Sequence, residues 1–380
     1  MKIRNKLFSS LFVLVLCVTL SFGFVACSDG APSGGDAADI VSITVENAKT
    51  EFLTGEKFTS SGISVNAVLS DGSERVLSED EYLVDATGFR SDIPRECTIS
   101  VKASAAEAST RYNVNVVRGK ASFKILAIGN SFSEDSLAHL YAIAEEMGAE
   151  NIVLGNMYIG GCSLARHADN MQRNLNAYQY QKNTDGTWVK NDGKSILYAL
   201  EDEEWDIISL QQACGGSGKV ETYNKDMTNI LQYLFVHKPK PETNIVWNMT
   251  WAYQSDSTHA DFPAYDNNQM TMYEGIVNAV REKVVGNKIV QIIIPTGTTI
   301  QNLRTSYLGD TLTRDGYHLS YQLGRYAAGL TWLTALTGWD ITGLQLGYSN
   351  LTEKEIRTVK ECVLMATANP FEVTQSKIID

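Results

Sequence analysis

The 380-residue sequence has little of what nucleic-acid binding or a structural metal requires. Lys and Arg number 32 against 44 Asp and Glu, a formal charge of −12. The cations nowhere gather into a stripe that would follow phosphates, which argues against a nucleic-acid partner. The acidic balance describes a soluble surface and says nothing of substrate. Cysteines number 6, with no CxxC pair and no histidine at zinc-ligand spacing, so no metal set is expected. Histidines number only 5, which makes a His at a strand end informative. Internal repeats are absent, and only one apolar run approaches membrane length.

That run stands at the start, "MKIRNKLFSSLFVLVLCVTLSFGFVACSDG". Lys2, Arg4 and Lys6 precede an apolar stretch from Leu7 to Phe24, and small Ala26 precedes Cys27, the layout of a secretory signal. Phe24-Val25-Ala26-Cys27 resembles a bacterial lipobox, with Phe24 in place of the usual Leu. The resemblance implies a lipoprotein signal peptide over 1–26 and lipidation of Cys27. The alternative is an uncleaved anchor, since the run is nearly long enough to span a bilayer. Both imply an exported protein held to a membrane, in the cell envelope or at the cell surface. Residues 27–38 are small, polar and Gly-rich, a flexible tether. In an oxidising compartment, disulfides among Cys97, Cys162, Cys214 and Cys362 are permitted.

From Asp39 to Arg118 the text becomes short period-two runs such as "SITVENA", "GISVNAVLS" and "CTISVKAS", separated by turn signals such as Ser70-Asp71-Gly72-Ser73. This predicts a small all-β sandwich over 39–118. The order "TGEKF…SGISVNAVLSDGSERVLS" resembles the bacterial Ig-like domains of group 3, which implies a spacer or adhesive module without chemistry of its own.

From Ser122 the pattern changes to apolar strands alternating with helices. Strands are predicted at Phe123–Ile128, Ile152–Tyr158, Asp206–Gln211, Asn244–Trp251 and Lys288–Ile294. Helices are predicted at Asp135–Met147, Ser163–Asn174, Val220–Val236, Tyr265–Val285 and Ser320–Thr337, with a last one near Glu353–Thr367. A hairpin around Thr184-Asp185-Gly186-Thr187 interrupts the alternation. Near-continuous apolar strands between helices mean an α/β domain with a parallel sheet covered on both faces, spanning 122–370. In such sheets functional residues gather at the C-terminal strand ends.

The first strand ends "IGNSFSED". Ser131 there is a candidate nucleophile, and equally a helix cap, because Ser131-x-x-Glu134 fits a capping box. The second ends "GGCSLARH", where Gly160-Gly161 presents bare backbone N–H groups of the kind an oxyanion hole uses. The third ends "SLQQACGG"; Gln211 and Gln212 carry amide donors, of which alternation lets only one face a given way. Before an apolar helix stands Asp315-Gly316-Tyr317-His318. A carboxylate three residues ahead of an imidazole can accept its Nδ1–H and leave Nε2 as a base.

Ser first and Asp-x-x-His last, with "IGNSFS", "GG" and "DGYHLS" as blocks, resembles the SGNH/GDSL hydrolase superfamily over roughly Ser122 to Gly338. The resemblance implies a flavodoxin-like three-layer α/β/α fold and ester hydrolysis without metal or cofactor. It implies Ser131 as nucleophile, His318 as general base, Asp315 as its orienting partner, and the N–H groups of Ser131 and Gly161 as oxyanion donors. Two blocks depart from the pattern. Asn130 stands where Asp is usual, and "QQACGG" lacks the Asn of the third block, for which Gln212, or else Gln211, is the substitute donor.

Cys162 follows Gly161 and Cys214 follows Gln212. If both blocks converge on one oxyanion hole the thiols approach each other, and a Cys162–Cys214 disulfide bracing the hole is expected. The segment "VWNMTWAYQSDSTHADF" offers Trp251 and Tyr253 as a sugar-stacking substrate wall; a core role for either tryptophan is the alternative. His139 and His237 read as structural or exposed, and His167 as a solvated helix residue or a pocket lining. The functional expectation is a surface esterase removing short acyl groups from carbohydrate. Its rivals are a glycan-binding protein without turnover and an adhesin working through residues 39–118.

Overall fold

The computed structural model describes residues 38–53, 58–91, 95–117, 122–345 and 350–380. The signal segment, Cys27 and all but the end of the tether lie outside the described residues. No described helix is long and apolar enough to cross a membrane.

The first part is all β. Strands β1 (Ile40–Glu46), β2 (Glu51–Leu53), β3 (Ser64–Leu69), β4 (Glu74–Val76), β5 (Tyr82–Asp85), β6 (Arg95–Ala103) and β7 (Ser109–Val117) follow in order. They form one sheet ordered β1-β3-β4 and another ordered β2-β7-β6-β5. In β6 the buried residues are Cys97, Ile99, Val101 and Ala103, alternating with polar neighbours. That period of two is what a strand with one buried face requires. Val101 and Ala103 share a core with Ile43, Val65 and Ala67 of the other sheet.

The second part is α/β. Its sheet holds β8 (Ser122–Gly129), β9 (Glu150–Tyr158), β10 (Tyr178–Asn183), β11 (Trp188–Lys194), β12 (Ile207–Leu210), β13 (Asn244–Asn248) and β14 (Val290–Ile294) in the order β11-β10-β9-β8-β12-β13-β14. Strands β9, β8, β12, β13 and β14 run parallel, with Ile125 facing Leu154 on one side and Ile207 on the other. The hairpin β10–β11 adds two antiparallel strands at the β9 edge. Within the parallel set, chain order reverses direction at β8. The C-terminal end of β8 is therefore the switch point at which such sheets open a crevice.

The helices are α1 (Ser131–Leu137), α2 (Leu140–Glu146), α3 (Leu164–Gln172), α4 (Ile196–Asp202), α5 (Asn224–His237), α6 (Gln269–Lys283), α7 (Thr296–Arg304), α8 (Leu323–Thr337) and α9 (Glu353–Ala368). Helix α8 packs against α1, α2, α7 and α9, while α3 packs against α4 and α5. Helix α8 is apolar nearly all round, with Trp332 and Leu333 fully buried, as a helix enclosed by others must be.

Among the boundaries that differ from the expected ones, including helix starts at Asn224 and Leu323 in place of Val220 and Ser320, three have local reasons. The helix expected over 135–147 is two helices, broken at Ala138–His139. The helix expected from Tyr265 starts at Gln269, because Asp266 and Asn267 take positive φ (58° and 51°) and end a preceding single turn. The strand expected to reach Trp251 stops at Asn248. Helix α7 has no amphipathic pattern: Thr296 through Leu303 are all buried, so no polar stripe marks it.

Candidate active site

Gly129 ends β8 where a larger residue would not fit. A Cβ there would lie 2.6 Å from Ser133 Oγ and 3.1 Å from Gln211 Cδ. Asn130 follows in extended conformation and caps α1, its Oδ1 accepting from Phe132 N at 2.9 Å. Ser131 is thus the first helical residue and not the cap. The capping-box alternative fails on both halves, since Glu134 turns to Lys190 and Gln181 instead of the helix start. The Ser131 hydroxyl is left for another partner.

That partner is His318, whose Nε2 lies 2.8 Å from Ser131 Oγ. Its Nδ1 lies 2.7 Å from Asp315 Oδ2. A carboxylate can only accept, so Nδ1 carries the proton and Nε2 accepts from the serine. Asp315 Oδ1 also accepts from His318 N at 2.8 Å and Tyr317 N at 3.3 Å. Partial burial pushes the Asp315 carboxyl upward, but the His318 contacts outweigh it and hold it below the ordinary carboxylate range. Ser131, Asp315 and His318 therefore come together across 187 residues of chain.

A second carboxylate, not anticipated from the sequence, joins the two segments. Asp135 lies on α1 four residues after Ser131 and is fully buried. It accepts from Arg314 Nη1 at 3.0 and 3.1 Å, Arg325 Nε at 2.8 Å and Leu319 N at 2.9 Å. Arg314 and Leu319 bracket the Asp315–His318 turn. A buried charge needs this much pairing to be tolerated, and here the pairing ties the helix of Ser131 to the loop of His318. The signal in the sequence was an acid at i+4 from Ser131 with arginines on both sides of "DGYH".

Trp251 makes a second tie. It is fully buried, stacks on Phe132 with ring centroids 4.0 Å apart and an interplanar angle of 4°, and donates Nε1–H to Tyr317 O at 2.7 Å. It touches the neighbour of Ser131 on one side and the neighbour of His318 on the other. Trp251 is therefore no substrate wall, and neither is Tyr253, also fully buried. The core role given as the alternative for Trp251 is the one the burial supports. The rings that remain partly exposed beside the base are Tyr317, 4.1 Å from the His318 ring, and His259, 4.6 Å from Tyr317.

Gly161 is exposed and sits at φ 61°, a left-handed conformation that favours glycine. It lies in the turn after β9, the parallel neighbour of β8. Asn130 Nδ2 donates across to Cys162 O at 3.3 Å and binds this turn to the start of α1.

Gln212 is not available as the third donor. Its Oε1 accepts from Leu164 N at 3.0 Å and Ala213 N at 2.8 Å, and its Nε2 donates to Thr222 O and Oγ1, both at 3.0 Å. Gln211 is equally committed, donating to Asn130 Oδ1 and accepting from Asn248 Nδ2, each at 3.0 Å. The two glutamines brace the strand ends from beneath. Nor do the blocks bring their cysteines together: Cys162 and Cys214 are both free. Cys162 Sγ turns back to Ser163 O, while Cys214 meets Tyr253. Burial pushes the Cys162 thiol up to about 12 and the Cys214 thiol up as well.

His167 is neither solvated nor pocket-lining; it is fully buried, with Nδ1 2.9 Å from Tyr178 OH, and burial pushes it down to about 3. His139 holds Tyr321 O at 2.8 Å, and His237 packs on Tyr233. Among the described residues no group of three or more His, Cys, Asp or Glu is arranged to hold a metal.

Similarity to known proteins follows the α/β part. A comparison with curated proteins found no match. The structure resembles LAE5, an alpha/beta hydrolase enzyme from the metagenome of Lake Arreo, Spain, at 11% identity and TM-score 0.37, over 57% of this chain and 96% of that one. It also resembles Axe2, an acetylxylan esterase from Geobacillus stearothermophilus, at 10% identity and TM-score 0.37, over 59% and 96%. The likeness to a DUF4886 family protein from Bacteroides uniformis ATCC 8492 is stronger, at 39% identity and TM-score 0.64, over 67% of this chain and 98% of that one. With residues 124–364 also matching that family as a whole, the chain belongs to DUF4886, a domain of unknown function.

Proposed function

We propose that the α/β part is a serine ester hydrolase of SGNH/GDSL type that works through an acyl-enzyme. What carries the reading is the unbroken run of contacts from Asp315 Oδ2 through both His318 nitrogens to Ser131 Oγ, at 2.7 and 2.8 Å. Ser131 Oγ attacks the acyl carbonyl carbon as its proton passes to His318 Nε2. The N–H groups of Ser131 and Gly161 hold the oxyanion. The C–O bond to the alcohol then breaks, and His318 returns the proton to the leaving oxygen. Water attacks the acyl-serine in turn, giving a proton to His318; the bond from the acyl carbon to Ser131 Oγ breaks, His318 returns the proton to Oγ, and the acid leaves. Asp315 holds the imidazole in the required tautomer and stabilises its charged form. The substrate we favour is a short acyl group on carbohydrate. The remaining parts are an Ig-like sandwich over 39–118 serving as spacer, and a lipidated Cys27 holding the protein at the cell envelope.

One observation favours a second reading, a glycan-binding protein without turnover: both glutamines are committed, so neither serves the hole as a third side-chain donor. Loss of one donor elsewhere costs ~3 kcal/mol of transition-state stabilisation, which slows a hydrolase without abolishing it. A fluorophosphonate probe separates the readings. Labelling that disappears in Ser131→Ala and is blunted in His318→Ala is expected of the hydrolase; an unlabelled wild type means no activated serine.

A further inference from the structure

Along helix α1 from Ser131 lies a cavity of about 220 Å³ lined by Glu134, Ala138, Gln181, Trp188, Lys190 and Arg325. Helix α1 leads directly to it. Of the residues from Ser131 to Ala138, only Ser131, Glu134 and Ala138 are not fully buried. They stand at i, i+3 and i+7, one stripe along the helix. Glu134 and Ala138 form the cavity floor, and Ser131 is the next position on that stripe. The opposite wall is the hairpin β10–β11, the insertion that departs from strand–helix alternation. Tyr158 stands between Gly160 and the charges of Glu134 and Lys190: its hydroxyl lies 3.5 Å from where a Gly160 Cβ would be, and both charges act on it.

The lining says what fits. Both cations are already matched, Lys190 Nζ to Glu134 Oε1 at 2.9 Å and Arg325 Nη2 to the buried Asp135 Oδ1 at 2.7 Å. Arg325 shares Asp135 with Arg314, and it is the Glu134 carboxylate in the lining that disfavours an anion. Glu134 Oε1 also accepts from Gln181 Nε2 at 3.1 Å, which leaves Oε2 open among the described residues, next to the two unused protons of the Lys190 ammonium. An acceptor beside a donor suits two neighbouring hydroxyls, one donating to the carboxylate and the other accepting from the ammonium. The partly exposed indole of Trp188 supplies an apolar face for ring C–H groups. The volume is below the range of drug-sized pockets and suits a single ring.

We propose that this cavity is a subsite for one neutral pyranose ring, the alcohol half of the ester cleaved at Ser131. The proposal rests on the hydrolase reading for the word ester, and its test does not. The full chain carrying Ser131→Ala is titrated with methyl glucopyranoside, methyl N-acetylglucosaminide and glucuronate by calorimetry and saturation-transfer NMR. The neutral glycosides bind and receive saturation at their ring protons, and glucuronate binds more weakly. Trp188→Ala weakens glycoside binding about tenfold, Lys190→Met weakens it as well, and Trp188→Phe retains most of it. Near-UV circular dichroism checks the fold of each variant; should Trp188→Ala misfold, Lys190→Met and Trp188→Phe carry the comparison. Undiminished binding in folded Trp188→Ala or Lys190→Met, tighter binding of glucuronate, or no glycoside binding at all overturns the subsite. Fluorophosphonate labelling of Ser131 with no glycoside binding sinks the subsite alone, whereas glycoside binding without labelling sinks the hydrolase alone.

Discussion

Replacing Asp135 by Asn tests whether the candidate triad is held from outside itself. The carboxylate is fully buried and takes hydrogen bonds from Arg314, Arg325 and Leu319 N. Breaking a buried ion pair by removing one partner costs roughly 3–5 kcal/mol. The Arg314 and Arg325 side chains are 23% and 19% exposed, so water recovers part of their charge and the lower figure, about 3 kcal/mol, applies. For an α/β part of this size that lowers the melting temperature by roughly 6–12 °C. The functional effect is separate. Asp135 fixes Leu319, directly after His318, to the helix that carries Ser131. A misplacement near 1 Å at a reacting pair costs about a hundredfold, so the second-order rate of fluorophosphonate labelling at Ser131 should fall by about that factor. The assay needs no knowledge of substrate and is run well below the melting transition. A folded Asp135→Asn protein that melts earlier yet labels at the wild-type rate would show Asp135 to be a stability device only, and would refute the positioning role.

Trp251→Phe keeps the stack on Phe132 but loses the bond to Tyr317 O; it should cost about 1 kcal/mol and slow labelling, whereas Trp251→Ala should cost about 3–5 kcal/mol in chemical denaturation. Gln212→Ala orphans Leu164 N and Ala213 N, so unfolding free energy should drop by about 1–3 kcal/mol, while labelling falls by much less than the ~10²–10³-fold of a lost oxyanion donor; a loss of that size would restore Gln212 to the hole. Asp315 has a folded-state carboxyl below its unfolded value, so the stability it contributes is present above the ordinary carboxylate range and is lost as pH falls through the lower folded value. An NMR titration should show that depression, and His318→Ala should remove most of it.

The residues of the candidate site were more legible in the sequence than the architecture around them. Ser131, Asp315 and His318 were legible because each stands at the end of an element whose pattern is local: an apolar strand, a Gly turn, an apolar helix. The sheet was legible for the same reason, each parallel strand being a near-continuous apolar run. Helix α7 was invisible because burial on every side erases the period by which a helix is recognised. Trp251 could be read either way, since an aromatic just past a strand's end and one lining a cleft have the same kind of immediate neighbours.

Gln212 shows where local inference stops. Two amides at a strand end look like donors for a ligand, and alternation limits which of them can point one way. Whether an amide is free, however, depends on every backbone group nearby that also needs a partner. The turn after β9 and the turn after β12 both leave a strand within the crevice and expose N–H groups that must be satisfied. Gln212 answers Leu164 N from one turn and Ala213 N from the other, so it shapes the turn that contains Gly161 without reaching an oxyanion itself. Asp135 follows the same logic with charge in place of amides: a buried carboxylate persists only where enough donors converge, and the donors come from the loop that carries His318. The groups that locate Ser131 and His318 are then the ones whose own hydrogen-bonding demands had to be met across segments far apart in the chain. Position in the sequence cannot reveal them, but a buried acid four residues from a nucleophile is a place to look.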